Sequence, residues 1–310
     1  MGRVALVTGG TRGIGEAISK GLKAAGYTVA ANYAGNDEAA SKFKDETGIA
    51  IYKWDVSDFE ACAAGIAKVE ADLGPVEVLV NNAGITKDKS MKKLTDDDWN
   101  DVLDTNLGSV YATCSEVLKI MMDQKYGRII MTTSTSGLFG NFGQANYGAA
   151  KLGLVGFMNT LRFEGAKYNV FTNAIAPIAA TRMTVELPGF EDSAEKLAPE
   201  LVTPAVVYLC SEKAPNGRII QFFRTERNSG KTSLWQVDLT GDNLRRLPTP
   251  VDASDPACAP PRPSLPPTTT RPDCAAPHRF HPAANPLTAH DDSAASPPDS
   301  LPDHACIPTC

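Results

Sequence analysis

No histidine precedes His278 in this 310-residue chain; the other three, His281, His290 and His304, follow it. The globular part therefore has neither the base of a Ser-His-Asp hydrolase nor histidines to hold a metal, and no metal site is predicted. Proline is scarce over the same stretch, since sixteen of the 22 stand at or beyond Pro248. No apolar run approaches the ~20 residues that span a bilayer, so no membrane partner is expected. A strand pattern begins at once with no signal peptide ahead of it, which predicts a cytoplasmic protein. A basic stripe is missing too: the formal net charge is -6, and nucleic acid is not an expected partner. Cys62, Cys114 and Cys210 sit among apolar neighbours as reduced, packed thiols, while Cys258, Cys274, Cys306 and Cys310 lack metal-finger spacing.

What is present is an alternation. Apolar strand-like runs at 3–8, 28–32, 50–54, 76–81, 128–133, 170–175 and 218–222 are separated by amphipathic helical stretches. Strands that read as continuous apolar runs between helices predict an α/β fold, a doubly wound parallel sheet covered on both faces. Such sheets bind ligands at the carboxyl ends of their strands. The first run leads into Thr8-Gly9-Gly10-Thr11-Arg12-Gly13-Ile14-Gly15 and then a helical pattern. Glycines there allow positive φ and let backbone N–H groups approach a pyrophosphate at the positive end of the helix.

The middle of the chain carries the candidate chemistry. Tyr147 and Lys151 stand four residues apart at the start of a helical run, so they project from one face. A free phenol titrates near ~10, and an ammonium fixed beside it predicts a lowered value and a usable proton donor. Taken alone, the pair would read as a solvated helix face. Ser134 ends the fifth strand-like run, where its hydroxyl can be aimed at the same point. Thr95 followed by three aspartates predicts a capped helix start, and Asn106 lies inside that helix.

These motifs, in this order, make residues 1–220 similar to the short-chain dehydrogenase/reductases, a family with a Rossmann-type fold. The glycine turn is matched by Thr8, Gly9, Gly13 and Gly15, the adenine-side pair by Asp55 and Val56, and the Asn-Asn-Ala-Gly segment by residues 81–84. The resemblance places catalytic roles on Asn106, Ser134, Tyr147 and Lys151, with Asn106 supporting a water that relays protons to the lysine. It also implies a nicotinamide cofactor. Its contacts would come from Gly9, Thr11, Arg12, Gly13, Ile14 and Gly15 in the turn, from Asn32, Asp55 and Val56, and from Asn82, Ala83 and Gly84. Tyr147 and Lys151 would meet the nicotinamide ribose, Pro177 stands where the family has Pro-Gly, and Thr181 would be the phosphate-side hydroxyl.

The end of the second strand should choose the cofactor. It reads Ala31-Asn32-Tyr33-Ala34-Gly35, with no carboxylate before Asp37 to accept a 2′-hydroxyl and repel a 2′-phosphate. Arg12 adds a cation in the turn, or is a solvated loop residue, and NADP is the expected cofactor. Residues 1–127 resemble acetoacetyl-CoA reductases, and residues 128–220 resemble the (3R)-hydroxyacyl-CoA dehydrogenase domain of type 2 multifunctional enzymes. The resemblance therefore implies an acyl-CoA substrate, met by Asp88 and Gln144, and a 3-oxoacyl-CoA reductase, with NAD-linked oxidation of the hydroxyacyl-CoA and an inactive fusion product as the alternatives. Lys87, Lys89, Lys92 and Lys93 are read as a solvated face or as a landing area for a coenzyme A phosphate.

The C-terminal part departs from the family. Residues 219–247 resemble one TolB-type propeller repeat, which cannot bury its faces alone, and are expected to form a surface hairpin at 223–247 following a reductase domain at 1–222. From 248 to 310, Pro, Thr, Ser, Ala and Asp dominate without apolar periodicity, which predicts a disordered C-terminal tail. Family members form homo-oligomers, and the replaced C-terminus puts such assembly in doubt.

Overall fold

The computed structural model describes residues 2–177, 198–224, 232–237 and 245–247. Thr181, part of the 223–247 segment expected to form a hairpin, and the proline-rich tail lie outside these residues. Seven parallel strands form the frame: β1 (Val4–Val7), β2 (Thr28–Tyr33), β3 (Ala50–Lys53), β4 (Val76–Asn81), β5 (Gly127–Thr132), β6 (Val170–Ala176) and β7 (Ile219–Arg224). Each lies within two residues of its apolar run in the sequence. The helices between them are α1 (Gly13–Ala24), α2 (Asp37–Thr47), α3 (Phe59–Leu73), α4 (Asp96–Leu103), α5 (Ser109–Asp123), α6 (Thr135–Phe139), α7 (Ala145–Ala166) and α8 (Thr203–Cys210).

The strand order is β3-β2-β1-β4-β5-β6-β7, so the winding reverses between β1 and β4. That reversal opens a crevice beyond the strand ends. Two further strands, β8 (Thr232–Val237) and β9 (Arg245–Leu247), add antiparallel to β7, extending the sheet to nine strands among the described residues. β7 pairs parallel with β6, Ala174 opposite Ile219, and takes the seventh place expected of the 218–222 run. Residue 222 falls inside β7, and β8 pairs antiparallel with β7. It continues the reductase sheet and is not a separate blade.

Two apolar layers sandwich the sheet. One gathers Leu6, Leu79, Ile129, Met131 and Ala174 under Val117, Met121, Leu154 and Met158 of α5 and α7. The other sets Ala5, Val7, Val78, Val80 and Ile130 against Ile18 and Leu22 of α1 and Val206 and Leu209 of α8. Strand side chains alternate between the two layers, which is why each strand is apolar throughout. Cys62, Cys114 and Cys210 are free and buried, as expected, and burial raises all three thiols above their ordinary range.

Candidate active site

The glycine turn at the end of β1 is built by backbone geometry and two neighbours. Gly9 and Gly13 adopt φ of 61° and 56°, and a Cβ on Gly15 would stand 2.1 Å from the Gly9 oxygen. Only glycine fits that approach. Thr8 ties the turn to the far side of the switch point, its Oγ1 accepting the N–H groups of Asn82 and Ala83 at 3.0 Å each. Asn82 returns Nδ2 bonds to the oxygens of Thr8 and Gly9 at 3.0 and 3.3 Å. The N-cap of α1 is Arg12, whose side chain makes no capping bond. The first-turn amides of α1 thus receive no side-chain acceptor, and the helix end keeps its affinity for an anion. Arg12 itself is exposed, whereas Thr11 is buried at its flank.

Asn32 was expected beside the ribose, and its side chain instead turns inward. It is 2% exposed; its Oδ1 accepts the Gly9 N–H at 3.2 Å and its Nδ2 donates to the Trp54 oxygen at 3.0 Å. Both ends of the amide are committed to holding the turn against β3. Asp37 is also occupied, by Lys53 at 2.7 Å and the Tyr33 hydroxyl at 3.0 Å, and the hydrogen bond from Lys53 is the main cause of its lowered pKa. Asp55 accepts the Ser57 N–H and hydroxyl on Oδ1, and Val56 is buried in the core.

Asn106 sits in a π-helical turn, Asp104–Gly108, between α4 and α5. Its Nδ2 donates to the oxygens of Ile85 and Val102 at 2.9 Å each, and its Oδ1 accepts the Ile85 N–H at 3.2 Å. A Cβ on Gly84 would meet Asn106 Oδ1 at 2.4 Å and Lys151 Nζ at 3.5 Å. Gly84 is thus the narrow point at which Asn106 and Lys151 converge.

Ser134, Tyr147 and Lys151 are brought together by two helices. Ser134 caps α6, accepting the Ser136 N–H at 3.2 Å, and α6 packs on α7 so tightly that a Cβ on Gly137 would lie 2.9 Å from the Lys151 backbone. Lys151 is 3% exposed; its Nζ donates to the Thr132 oxygen at 2.9 Å and stands 5.5 Å from the centre of the Tyr147 ring. Burial lowers its pKa to about 8. Burial likewise raises the Tyr147 phenol above its ordinary value, the neighbouring Ser134 hydroxyl works against that rise, and the Asp88 carboxylate adds to it. The lowering expected from Lys151 is therefore overturned in this chain: withdrawal of the phenol from water outweighs what its neighbours supply.

Asp88 and Gln144 meet, Gln144 Nε2 donating to Asp88 Oδ2 at 2.7 Å, while Gln144 Oε1 accepts from Asn141 at 3.1 Å. The landing-area lysines are partly neutralised: Lys89 pairs with Asp98 at 2.6 Å, and Lys87 pairs with Asp101. Asp98 also closes the capping box expected at Thr95. Pro177 follows β6, half-buried. Three contributors were not singled out in the sequence: Thr132, Gly137 and Asn146. Each acts through its backbone or one short polar group, so no residue pattern announces it.

The residues present fit a nicotinamide dinucleotide. The uncapped start of α1 suits a pyrophosphate, Gly15 and Gly84 mark places where no Cβ can stand, and Thr132 Oγ1 is buried without a partner beside Lys151. Comparison with known proteins agrees with this geometry. The profile of the short chain dehydrogenase family matches residues 3–191. An acetoacetyl-CoA reductase from Shinella zoogloeoides is 52% identical, covering 73% of this chain and 92% of its own. The Paracoccus denitrificans acetoacetyl-CoA reductase is 49% identical over 72% of this chain and its whole length, and the mouse peroxisomal multifunctional enzyme type 2 is 41% identical over 71% of this chain and 31% of its own. The chain belongs to the short chain dehydrogenase family. It is an oxidoreductase of the nicotinamide-dependent kind, and among its described residues no helix is long and apolar enough to cross a membrane.

Proposed function

We propose that this enzyme reduces a 3-oxoacyl-CoA of the acetoacetyl-CoA type to the (3R)-3-hydroxyacyl-CoA, with NADPH as reductant. The observation that carries the reading is the convergence of Ser134, Tyr147 and Lys151 at the carboxyl end of β5, beside the glycine turn. Sequence identity near 50% to two acetoacetyl-CoA reductases supports the substrate class. When bound, a reduced nicotinamide would supply the hydride for the 3-oxo carbon. Tyr147 donates its phenolic proton to the oxygen that becomes the hydroxyl. The Ser134 hydroxyl stabilises negative charge developing on the same oxygen. Lys151, protonated below about 8, orders the ribose side of the site, and Asn106 would support a water that relays protons to the lysine.

Reduction starts from the protonated phenol, and oxidation of a hydroxyacyl-CoA would start from the phenolate. Preference for NADPH is supported by exposed Arg12 in the turn and by the absence of a free carboxylate at the end of β2, Asp37 being bound to Lys53. The test is oxidation of NADPH and of NADH by the purified chain with acetoacetyl-CoA, alongside Tyr147→Phe. The wild type should turn over with NADPH preferred, and Tyr147→Phe should lose roughly 10²-fold or more in kcat while binding NADPH normally. Substantial turnover by the Phe variant would remove Tyr147 from its role.

A further inference from the structure

Asn146 has no part in the chemistry above, yet it is fully buried immediately before Tyr147. Its Oδ1 accepts the Tyr147 N–H at 2.8 Å. That amide lies in the first turn of α7, where no intrahelical acceptor exists. Its Nδ2 donates to the Lys87 oxygen at 3.3 Å and to the Asp98 oxygen at 3.0 Å. One side-chain amide therefore joins the first turn of α7, the segment after Gly84, and α4.

The joint continues along the segment. Lys89 N–H donates to the Gly143 oxygen at 2.8 Å, Gln144 Nε2 holds Asp88, and Lys89 forms a parallel bridge with Gln144. Residues 87, 88 and 89 are thus each fastened to residues 143–146. Asp88, one of the groups that raises the Tyr147 phenol, is placed by this clamp. The clamp's buried centre is Asn146, whose two donors both meet backbone carbonyls; Ser, Thr or Ala could supply at most one such donor.

We propose that Asn146 is a positioning residue for proton donation: it fixes the first turn of α7 against residues 87–89 and so sets the height of the Tyr147 hydroxyl against Ser134 and Asp88. This rests on the reductase reading above. Asn146→Asp keeps the acceptor for the Tyr147 N–H and sets an oxygen against two carbonyls, while Asn146→Ala removes the joint without adding charge.

The experiment measures NADPH affinity, thermal midpoint, kcat and the pH profile of kcat with acetoacetyl-CoA for the wild type and both variants, with kcat counted per NADPH-binding site. A wild type without turnover would sink the reductase reading itself. With an active wild type, the expected result is that at least one variant binds NADPH within about threefold of normal, loses at least tenfold in kcat, and shows a displaced pH profile, because the phenol has left its setting between Ser134 and Asp88. Variants that keep kcat overturn the proposal. So does a kcat loss with an unmoved pH profile, or failure of both variants to bind NADPH, since either result would make Asn146 a residue of folding alone.

Discussion

Lys151 shows how far a single side chain in this site is held from its comfort. Its pKa is 10.5 in the unfolded chain and about 8 when buried, so between those values the unfolded state binds the proton that the native state has released. Stability then rises with pH across that window; below it the native state carries the whole penalty, on the order of 3 kcal/mol. Lys151→Met should remove the penalty while losing one hydrogen bond worth about 1 kcal/mol. We expect an inactive variant with a higher thermal midpoint at pH 7 and a smaller advantage near pH 10, and a lower midpoint at pH 7 would contradict the burial argument. Cofactor choice is the second residue-scale question. Arg12→Ala should weaken NADPH about tenfold and leave NADH nearly unchanged, as for loss of one charge-assisted bond. Asn32→Asp, which looks like a switch toward NADH in the sequence, should instead lower stability by a few kcal/mol, because the carboxylate would be buried against the Trp54 oxygen. A clean change of preference in a stable Asn32→Asp variant would show that this side chain reaches the ribose after all.

At the scale of elements, the site depends on places where a regular helix or strand gives way. The π turn at Asn106 is one: its Nδ2 takes the Val102 oxygen, the acceptor an unbroken helix would give to the backbone N–H of residue 106. The side chain can then clamp both polar groups of Ile85. The close approach of α6 to α7 at Gly137 is another. β7 is a third, for a different reason. Its Gln221 is 1% exposed with Oε1 buried and without a partner, in a strand otherwise apolar where described. Gln221→Leu should raise stability by about 1 kcal/mol without changing kcat, read as the midpoint of denaturant unfolding. A destabilised Leu variant would mean that the amide has a role in the sheet beyond filling space.

At the scale of the whole molecule, β7 covers the flank of β6, with Ile219 and Ile220 2% and 1% exposed. A chain ending at Gly217 loses both and leaves β6 as an open edge, so it should lack a cooperative thermal transition. A chain ending at Thr249 keeps β7, β8 and β9 and should retain the stability and specific activity of the full length, since the composition beyond offers little apolar surface to offset ordering. Unfolding of that shorter chain would make the proline-rich part a working piece of the enzyme and would set aside the division into a reductase domain, a strand extension and a tail.

The sequence by itself determined the seven parallel strands, the glycine turn, the capped start of α4 and the placement of Tyr147 and Lys151 on one helix face, because each is a local pattern: an apolar run, a glycine spacing, a capping residue, or two side chains one helical turn apart. Only the tertiary structure decided what surrounds them. Asn32 is buried and braces the glycine turn against Trp54, Gln144 and Asp88 hold one another, and burial raises the phenol of Tyr147. These outcomes depend on which groups are withdrawn from water and which distant carbonyls lie within reach. Burial and long-range hydrogen bonding are properties of packing, and a residue such as Asn146, which acts on backbone groups far along the chain, leaves no spacing in the sequence by which to find it.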